Sequence, residues 1–196
     1  MIIRILDILF SLIGLIILSP VLIIISLLII IDSKGGVFYK QQRVGLNGCD
    51  FKLFKFRTMQ TGADKKGLLT VGGRDSRITK VGYFLRKFKL DELPQLINVL
   101  IGEMSLVGPR PEVRKYTDMY NEYQKKVLSV KPGITDYASI EYSDENEILG
   151  RAIDPDKAYI EEVMPAKILL NFKFINNPTT INYLKIILLT IHKIIK

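Results

Sequence analysis

An uncharged run of 24 residues, from Ile8 to Ile31, constrains this chain more than any other feature. The run is dominated by isoleucine and leucine, and a helix needs about 20 apolar residues to cross the hydrocarbon core of a bilayer. Only Arg4, Asp7 and Asp32 carry charge within the first 32 residues. A cleaved signal peptide fits poorly, because the positively charged start is weak and no small-residue cleavage site follows. The pattern therefore predicts a membrane segment over residues 1–32.

Two geometries fit this segment, because Ser19 and Pro20 stand at its centre. Pro20 has no N–H, so the carbonyl of Ile16 loses its helical partner. In a spanning helix this produces a kink, and a serine hydroxyl can bond the freed carbonyl. The alternative is a helix–break–helix that enters one leaflet and returns, which puts both charged ends at the same interface. Counting charges does not decide between the two.

The remainder of the chain has the size and composition of one folded domain. The chain has 196 residues, 48% hydrophobic and 24% charged, which excludes a disordered tail. A single cysteine, Cys49, excludes a disulfide-stapled secreted fold and agrees with a reducing compartment. The net charge is +8, and the basic part follows the apolar run directly. The positive-inside bias then places residues 33–196 in the cytoplasm, and the excess positive charge favours an anionic partner.

A β-hairpin is predicted directly after the apolar segment. Val37–Val44 and Asp50–Thr58 are rich in β-forming residues and flank a Gly-Leu-Asn-Gly turn. The apolar alternation of the second run slips by one residue at Leu53 and Phe54, which predicts a bulge or a bend there.

Downstream of the hairpin, the patterns predict a loop followed by amphipathic helices. Residues 60–77 are polar and contain several glycines, which is typical of a loop. From Ile78, apolar residues recur at helical spacing among basic ones, which indicates an interfacial helix; a soluble helix with a solvated basic face is the alternative. The last helical pattern is also amphipathic. Asp154-Pro155-Asp156 imitates a metal-binding motif but is more typical of a helix start or turn.

The stretch that carries the chemistry contains two adjacent carboxylates, Asp91 and Glu92. Asp91 precedes a helical pattern, so helix capping alone could explain it. Three basic residues lie just upstream, and an aspartate among cations can also attack phosphorus, as in aspartyl-phosphate enzymes. Glu92 could serve beside it as a base or help to hold a divalent cation.

An arginine held between two prolines follows this stretch. Pro109 and Pro111 restrict the backbone on both sides of Arg110, and a rigid guanidinium suits bidentate capture of phosphate. A rigid turn with an incidental arginine is the alternative. Lys55 and Arg57, near the end of the predicted second strand, could equally belong to a solvated strand face.

Four blocks of sequence, in this order, carry a family resemblance. They are Lys55-Phe56-Arg57-Thr58-Met59, Arg86 with Asp91-Glu92-Leu93-Pro94-Gln95, Met104-Ser105-Leu106-Val107-Gly108-Pro109-Arg110-Pro111, and Lys131-Pro132-Gly133-Ile134-Thr135. Together with the apolar segment interrupted at Ser-Pro, they resemble the bacterial sugar transferases known as monotopic phosphoglycosyl transferases. The resemblance covers essentially the whole chain.

The resemblance implies transfer of a sugar-1-phosphate from a UDP-sugar to polyprenyl (undecaprenyl) phosphate, with release of UMP. This reaction is the first membrane step of bacterial glycoconjugate or polysaccharide synthesis. It implies a ping-pong route in which Asp91 becomes a phosphosugar ester and contacts Mg2+, while Glu92 assists. The implied substrate-binding residues are basic side chains and two prolines: Lys55, Arg57, Arg86, Arg110, Arg43, Pro109 and Pro111. Ser19 and Pro20 would form the structural break of a re-entrant helix.

The sequence therefore predicts a single, predominantly helical α+β domain over residues 1–196. Its parts are a re-entrant N-terminal membrane helix (1–32), a small β-hairpin, interfacial amphipathic helices and a catalytic part (33–196). The expected location is the bacterial inner membrane, monotopic, with the catalytic part facing the cytoplasm. Membrane lipids and downstream membrane glycosyltransferases are the further partners that the resemblance implies, whereas nucleic acid is not expected.

Some residues depart from the family pattern and leave the donor sugar open. Asp136 and Ser139 replace the glycine and glutamine of a common Pro-Gly-Ile-Thr-Gly-x-Ala-Gln block, and Asn171 stands where some relatives carry aspartate. The alternative function is a membrane-tethered basic protein that binds nucleic acid or anionic lipid without catalysis. A nucleic-acid binder is disfavoured because the sequence has no set of zinc ligands, no recognisable DNA-recognition helix and no aromatic platform for bases. A purely structural membrane anchor or scaffold would not need the adjacent carboxylates.

Overall fold

The computed structural model of the chain describes residues 1–63 and 75–195. Its elements in chain order are α1 (Ile2–Asp32), β1 (Phe38–Val44), β2 (Asp50–Phe56), α2 (Lys80–Lys87), α3 (Gln95–Ile101), β3 (Ser105–Val107), α4 (Arg114–Thr117), α5 (Glu122–Lys125), β4 (Gly133–Thr135), α6 (Tyr137–Glu141), α7 (Glu145–Gly150), α8 (Pro155–Ala158), α9 (Met164–Ile175) and α10 (Thr180–Ile195). The predicted α+β fold, mainly helical with an apolar first helix and a small hairpin, is confirmed. Residues 64–74 of the predicted loop lie outside the described residues.

The hairpin forms as predicted, but without the bulge. Strands β1 and β2 pair antiparallel through seven consecutive residue pairs, so the bulge predicted at Leu53 and Phe54 is wrong. The irregular apolar pattern has another cause, because both faces of β2 are covered. Leu53 packs against Val99 on one face, and Phe56 packs against Ile29 on the other. A strand buried on both faces has a nearly continuous apolar run instead of an alternating one.

A second, parallel sheet of two short strands was not predicted. Strands β3 and β4 pair side by side, and their ends approach at two glycines, Gly108 and Gly133. A Cβ added to Gly133 would lie 2.1 Å from the backbone nitrogen of Gly108. The two sequence blocks that end in Pro-Arg-Pro and in Pro-Gly-Ile-Thr are therefore held together through direct backbone contact.

The first helix is anchored to the folded body near its start. Asp7 is 2% exposed, and its Oδ1 accepts hydrogen bonds from Ser105 Oγ (2.9 Å), Leu106 N (2.9 Å) and Tyr183 Oη (2.8 Å). Arg4, one turn earlier, donates to backbone carbonyls at the end of α3. These contacts join α1 to α3, β3 and α10.

The end of α1 is anchored to the same body. Ile25 and Ile29 are buried in a core cluster with Phe56 and Leu85. Asp32 Oδ2 accepts a hydrogen bond of 2.9 Å from the backbone N–H of Val81, at the start of α2. The helix thus lies against the folded part at both of its ends.

Between these anchors, α1 presents a largely uncovered apolar surface. It is the one helix in the described part of the chain that is long and apolar enough to cross a membrane. In its most apolar stretch of 18 residues, only 11% is buried within the structure. The helix continues through Pro20, and Ser19 Oγ donates a hydrogen bond of 2.8 Å to the carbonyl of Ile16, which Pro20 leaves without an N–H partner. The structure contains this single helix, so the helix–break–helix stays a prediction.

Candidate active site

A tight turn between α2 and α3 carries Asp91 and Glu92. Before it, Lys89 adopts a left-handed backbone conformation with φ of 56°, which is uncommon for a residue with a side chain. The chain then makes a 3₁₀ turn over Leu90–Glu92, and α3 begins only at Gln95, with Pro94 as its N-cap. The interpretation of Asp91 as merely the cap of this helix is therefore wrong.

Asn98 locks the helix that follows the turn to the strand that carries Lys55. Its side chain is fully buried on α3, and its Oδ1 accepts from Phe54 N at 2.9 Å. Its Nδ2 donates to Lys52 O at 2.8 Å and to Glu103 Oε2 at 2.7 Å. Sequence analysis missed this residue, because an asparagine within a helical pattern gives no sign of the strand it will contact.

Glu92 lies between two cations of the site. It accepts a hydrogen bond from Lys55 Nζ at 3.2 Å and a bidentate pair of bonds from the guanidinium of Arg110. Burial acts to raise the pKa of Glu92, but the charges of Arg110 and then Lys55 outweigh it and hold that pKa well below its usual value. The Glu92 charge in turn raises the pKa of Arg110. Glu92 is thus an ionised anchor for two cations.

Asp91 differs from its neighbour because no described residue donates a hydrogen bond to its carboxylate. The residue is 7% exposed and lines the main cavity, yet it accepts no hydrogen bond from any residue that the structure describes. Burial raises its pKa, and the Glu92 charge adds to this, whereas Lys55, Arg86 and Arg110 oppose it. A partly desolvated carboxylate surrounded by cations is well suited to attack a phosphorus atom or to hold a metal ion.

A cavity of about 560 Å³ brings the predicted residues together. This volume lies within the range of small-molecule sites, about 300–1,000 Å³. The predicted residues that line it are Arg43, Lys55, Arg57, Arg86, Asp91, Glu92 and Arg110. Pro109 and Pro111 line a smaller, separate cavity of about 30 Å³. The two prolines therefore flank Arg110 without lining the larger cavity themselves.

Arg43 is held at the cavity wall by groups that the sequence did not reveal. It donates to Pro111 O at 2.9 Å and to Gln41 Oε1 at 2.8 Å, and Glu112 lies 3.7 Å from it. Tyr159 donates a hydrogen bond to the same Glu112. Burial lowers the pKa of Arg43, and the charge of Glu112 opposes this change.

Arg57 uses its guanidinium differently from the other basic residues. Its five N–H groups donate to backbone and side-chain oxygens at the end of α1: Ile29 O, Ser33 O, Ser33 Oγ, Lys34 O and Gly36 O. A cation at this position satisfies the last carbonyls of a helix and interacts favourably with its dipole. Arg57 also lines the cavity, so its expected role as a substrate ligand stays a prediction, although these oxygens already engage its N–H groups.

Asp136, one of the departures from the family pattern, connects Arg110 to α6. Its Oδ2 accepts from Arg110 N at 3.0 Å, and its Oδ1 caps the helix by accepting from Ser139 N at 2.5 Å. The backbone that carries Arg110 is therefore fixed from both the proline side and the α6 side.

Two possible metal sites, the Asp154-Pro155-Asp156 motif and Asp91, can be compared with the structure. Asp154 caps a helix by accepting from Lys157 N at 3.0 Å, so the Asp-Pro-Asp run is a helix start, as expected. Within residues 1–63 and 75–195, no group of three His, Cys, Asp or Glu side chains could hold a metal ion. An ion at Asp91 would therefore need ligands from a bound molecule or from water.

Known proteins similar to the chain agree with the resemblance seen in the motifs. The family model described as bacterial sugar transferase matches residues 1–196. An uncharacterized sugar transferase of Bacillus subtilis is 46% identical over 123 residues, 62% of this chain and 60% of the relative. The UDP-glucose:undecaprenyl-phosphate glucose-1-phosphate transferase of Escherichia coli is 39% identical over 163 residues, 80% of this chain and 35% of the relative.

A third relative comes from Aeromonas hydrophila. It is a UDP-N-acetylgalactosamine-undecaprenyl-phosphate N-acetylgalactosaminephosphotransferase, 37% identical over 175 residues, which is 87% of this chain and 38% of the relative. The chain thus spans between about one third and two thirds of the length of these three relatives. On the match of the family model to its whole length, the chain belongs to the bacterial sugar transferase family.

Proposed function

We propose that this protein transfers a sugar-1-phosphate from a UDP-sugar to undecaprenyl phosphate and releases UMP. The observation that carries the proposal is the Asp91 carboxylate, which accepts no hydrogen bond from the described residues and lies in a cavity with Lys55, Arg86 and Arg110. Phosphoryl transfer depends on positioning and on neutralising charge, and this cavity offers both. The names of the Escherichia coli and Aeromonas hydrophila relatives support the same reaction type.

In the first half-reaction, a carboxylate oxygen of Asp91 attacks the β-phosphorus of the donor. A bond forms between that oxygen and phosphorus, and the bond from phosphorus to the bridging oxygen breaks. UMP leaves with the bridging oxygen and its electron pair, and the sugar phosphate stays on Asp91 as an acyl phosphate ester. Lys55 and Arg110 are the cations best positioned to neutralise the diphosphate, because Glu92 already holds both beside Asp91.

In the second half-reaction, an oxygen of undecaprenyl phosphate attacks the same phosphorus. The Asp91 carboxylate leaves, and the product is an undecaprenyl diphosphate sugar. The attacking phosphate oxygen is already anionic, so neither half-reaction requires a proton to be removed. This balance fits Glu92, whose lowered pKa suits an ionised anchor of Lys55 and Arg110 better than a general base.

A magnesium ion (Mg2+) fits the site as a part of this proposal. Mg2+ prefers oxygen ligands and is usually bound by one or two carboxylates, water and the phosphates of a substrate. The unbonded carboxylate of Asp91 is the group that would hold it, together with the donor diphosphate. When bound, the ion would supply further neutralisation of phosphate charge.

We further propose that α1 is re-entrant and that the catalytic part faces the cytoplasm. Asp7 near one end of the helix and Asp32 at the other are bonded to the same folded body, which supports a helix that returns to its side of entry. The apolar surface of α1, with exposed residues of α10 such as Ile181 and Leu188, would then lie in one leaflet. The net charge of +8 favours the cytoplasmic side.

The test of this function is UMP release by the detergent-solubilised chain from a panel of UDP-sugars, with Mg2+ and undecaprenyl phosphate. The Asp91→Asn variant should lose at least about 1,000-fold, since it lacks the nucleophile. Asp118→Asn is the matched control, because that side chain is 64% exposed on the surface. Without acceptor, the wild-type chain should gain the mass of one sugar phosphate at Asp91. Undiminished UMP release by Asp91→Asn would refute the mechanism.

A further inference from the structure

The wall of the main cavity formed by α6, α7 and α9 contains polar groups that the reaction at Asp91 does not use. Ser139, Glu145 and Lys167 all line this wall, and Arg110 lines the same cavity. Where the cations near Asp91 suit phosphates, this wall offers a hydroxyl, a carboxylate acceptor and an ammonium donor. We propose that Ser139, Glu145 and Lys167 bind the sugar ring of the donor and determine which sugar is accepted, an inference that rests on the proposed function.

Lys167 is the first observation behind this inference. Its side chain is 10% exposed on α9, a helix whose neighbouring Ile168 and Phe172 are buried in the core. It forms an ion pair of 2.7 Å with Glu145 and lies over the ring of Tyr159. The Glu145 side chain is 26% exposed, so the pair is partly buried and both charged groups face the cavity. Such a pair contributes little to stability compared with apolar residues of the same size, and its place in the cavity wall supports a role in binding a ligand.

The hydroxyl of Ser139 is the second observation. Ser139 Oγ is buried and makes no hydrogen bond in the described structure, although the backbone N–H of the same residue is bonded to Asp136. A buried hydroxyl without a partner costs free energy that a hydrogen-bonding ligand would recover. Rotation about a single side-chain bond changes the direction of this hydroxyl, so a ligand in the cavity can be its partner.

The position of these groups favours the sugar over the other parts of the donor. Asp136 bonds both Arg110 N (3.0 Å) and Ser139 N (2.5 Å), so Ser139 lies directly beside the backbone of the phosphate-binding arginine. The sugar is attached to the phosphorus that Asp91 attacks, whereas the uracil base is separated from it by the second phosphate and the ribose. Neighbouring sugar hydroxyls both donate and accept hydrogen bonds, which matches the adjacent ammonium and carboxylate of Lys167 and Glu145.

A turn of unusual geometry lies behind the same wall. Residues Tyr159–Val163 form a π-helical turn directly before α9. Such turns are rare and occur frequently at functional sites. Here the turn carries Tyr159, which contacts both Lys167 and Glu112 and so connects the proposed sugar wall with the support of Arg43.

Ser139→Ala gives the cleanest test, because it removes a hydroxyl to which none of the described residues is hydrogen-bonded. We expect about a tenfold loss in kcat/KM for the preferred UDP-sugar and no change in inhibition by UDP, which has no sugar on its β-phosphate. Glu145→Gln should alter the ratio of kcat/KM between UDP-sugars that differ at one hydroxyl. Ser129→Ala, a change in an exposed turn outside the cavity, serves as the matched control.

The outcomes separate this inference from the proposed function. The sugar assignment is overturned if Ser139→Ala weakens kcat/KM for the UDP-sugar and inhibition by UDP equally. It is also overturned if neither Ser139→Ala nor Glu145→Gln changes kcat/KM for any UDP-sugar. Neither result contradicts the proposed transferase activity. If the wild-type chain releases no UMP from any donor, the proposed function fails, and binding decides the inference. Equal affinities of wild type and Ser139→Ala for every UDP-sugar would then overturn it, whereas weaker binding of a UDP-sugar with unchanged UDP binding would support it.

Discussion

Replacing Asp7 with alanine should severely destabilise the folded chain. The change removes one acceptor from three donors, Ser105 Oγ, Leu106 N and Tyr183 Oη, at 2.8–2.9 Å. Hydrogen bonds to a charged group contribute about 1.5–3 kcal/mol each, but three bonds to one atom are not additive. Each neutral donor that is left buried without an acceptor typically costs about 1–3 kcal/mol. We therefore expect a loss of about 4 kcal/mol in the free energy of unfolding.

Thermal unfolding in detergent measures this loss. The chain has nine tyrosines and no tryptophan, so tyrosine fluorescence follows the unfolding of the whole chain, with Tyr183 as one contributor. For a protein of this size, about 1 kcal/mol corresponds to a shift of about 2–4 °C in Tm, so Asp7→Ala should melt about 8–16 °C below wild type. Asp7→Asn retains an acceptor oxygen of the same shape and should lose only about 1–2 kcal/mol.

A matched control defines the refuting result. Asp144 is an exposed aspartate at the start of α7 whose side chain makes no capping bond, so Asp144→Ala should change stability by less than about 0.5 kcal/mol. If Asp7→Ala melts within 2 °C of that control, by the conversion of about 2–4 °C per kcal/mol, the three bonds do not stabilise the fold as argued. If Asp7→Asn is as damaging as Asp7→Ala, the charge of Asp7 matters and its acceptor geometry does not.

Four other predictions concern the site and its support. Because burial raises the pKa of Asp91, its ionised form is disfavoured in the fold. Transfer should therefore fall as pH drops through a value above the usual 3.8. For the same reason Asp91→Asn should unfold at a higher temperature than wild type at neutral pH, with a gain of about 1 kcal/mol in the free energy of unfolding. A pH profile of kcat/KM that declines only at or below 3.8 would contradict the predicted pH dependence. A lower Tm for Asp91→Asn than for wild type would contradict the predicted gain in stability. Asn98→Asp should lower the free energy of unfolding by about 2–4 kcal/mol and lower kcat. The change removes the two hydrogen bonds that the side-chain amide donates to the Lys52 carbonyl and to Glu103. An unchanged midpoint in denaturant unfolding would refute this prediction. Gly133→Ala should lower the free energy of unfolding by about 3 kcal/mol, because the added Cβ would lie 2.1 Å from Gly108 N. Gly36→Ala is the control, since its Cβ would lie 3.9 Å from Phe38 O, and it should leave the same unfolding measurement unchanged.

The parts of the fold that depend on neighbouring residues could be predicted from the sequence. The hairpin follows from two β-rich runs around a Gly-Leu-Asn-Gly turn, and α2 follows from apolar spacing after Thr79, whose hydroxyl caps the helix. The Asp91–Glu92 pair was identified from its basic surroundings. The structure adds a difference between the two carboxylates that no sequence pattern contains, since one is bonded to Lys55 and Arg110 and the other is not.

Contacts between distant residues could not be predicted. The bond between Tyr183 and Asp7 joins residues 176 positions apart, and the β3–β4 pairing depends on two glycines meeting in space. The family resemblance implies that Arg57 binds substrate, and Arg57 does line the cavity. What no pattern predicted is that its guanidinium donates to oxygens at the end of α1, because this depends on how α1 lies relative to β2.

The double anchoring of α1 bears on how the protein can be prepared for experiments. Membrane enzymes are often made soluble by removing the hydrophobic segment, on the assumption that it is only a tether. Here, deleting residues 1–32 would strip Ile25 and Ile29 from a core cluster, expose Phe56 and Leu85 to water, and leave the Leu106 N–H without its acceptor. Expression of the remainder alone is therefore expected to yield aggregated chain, and purification has to retain the helix together with a detergent or lipid that covers its outer face.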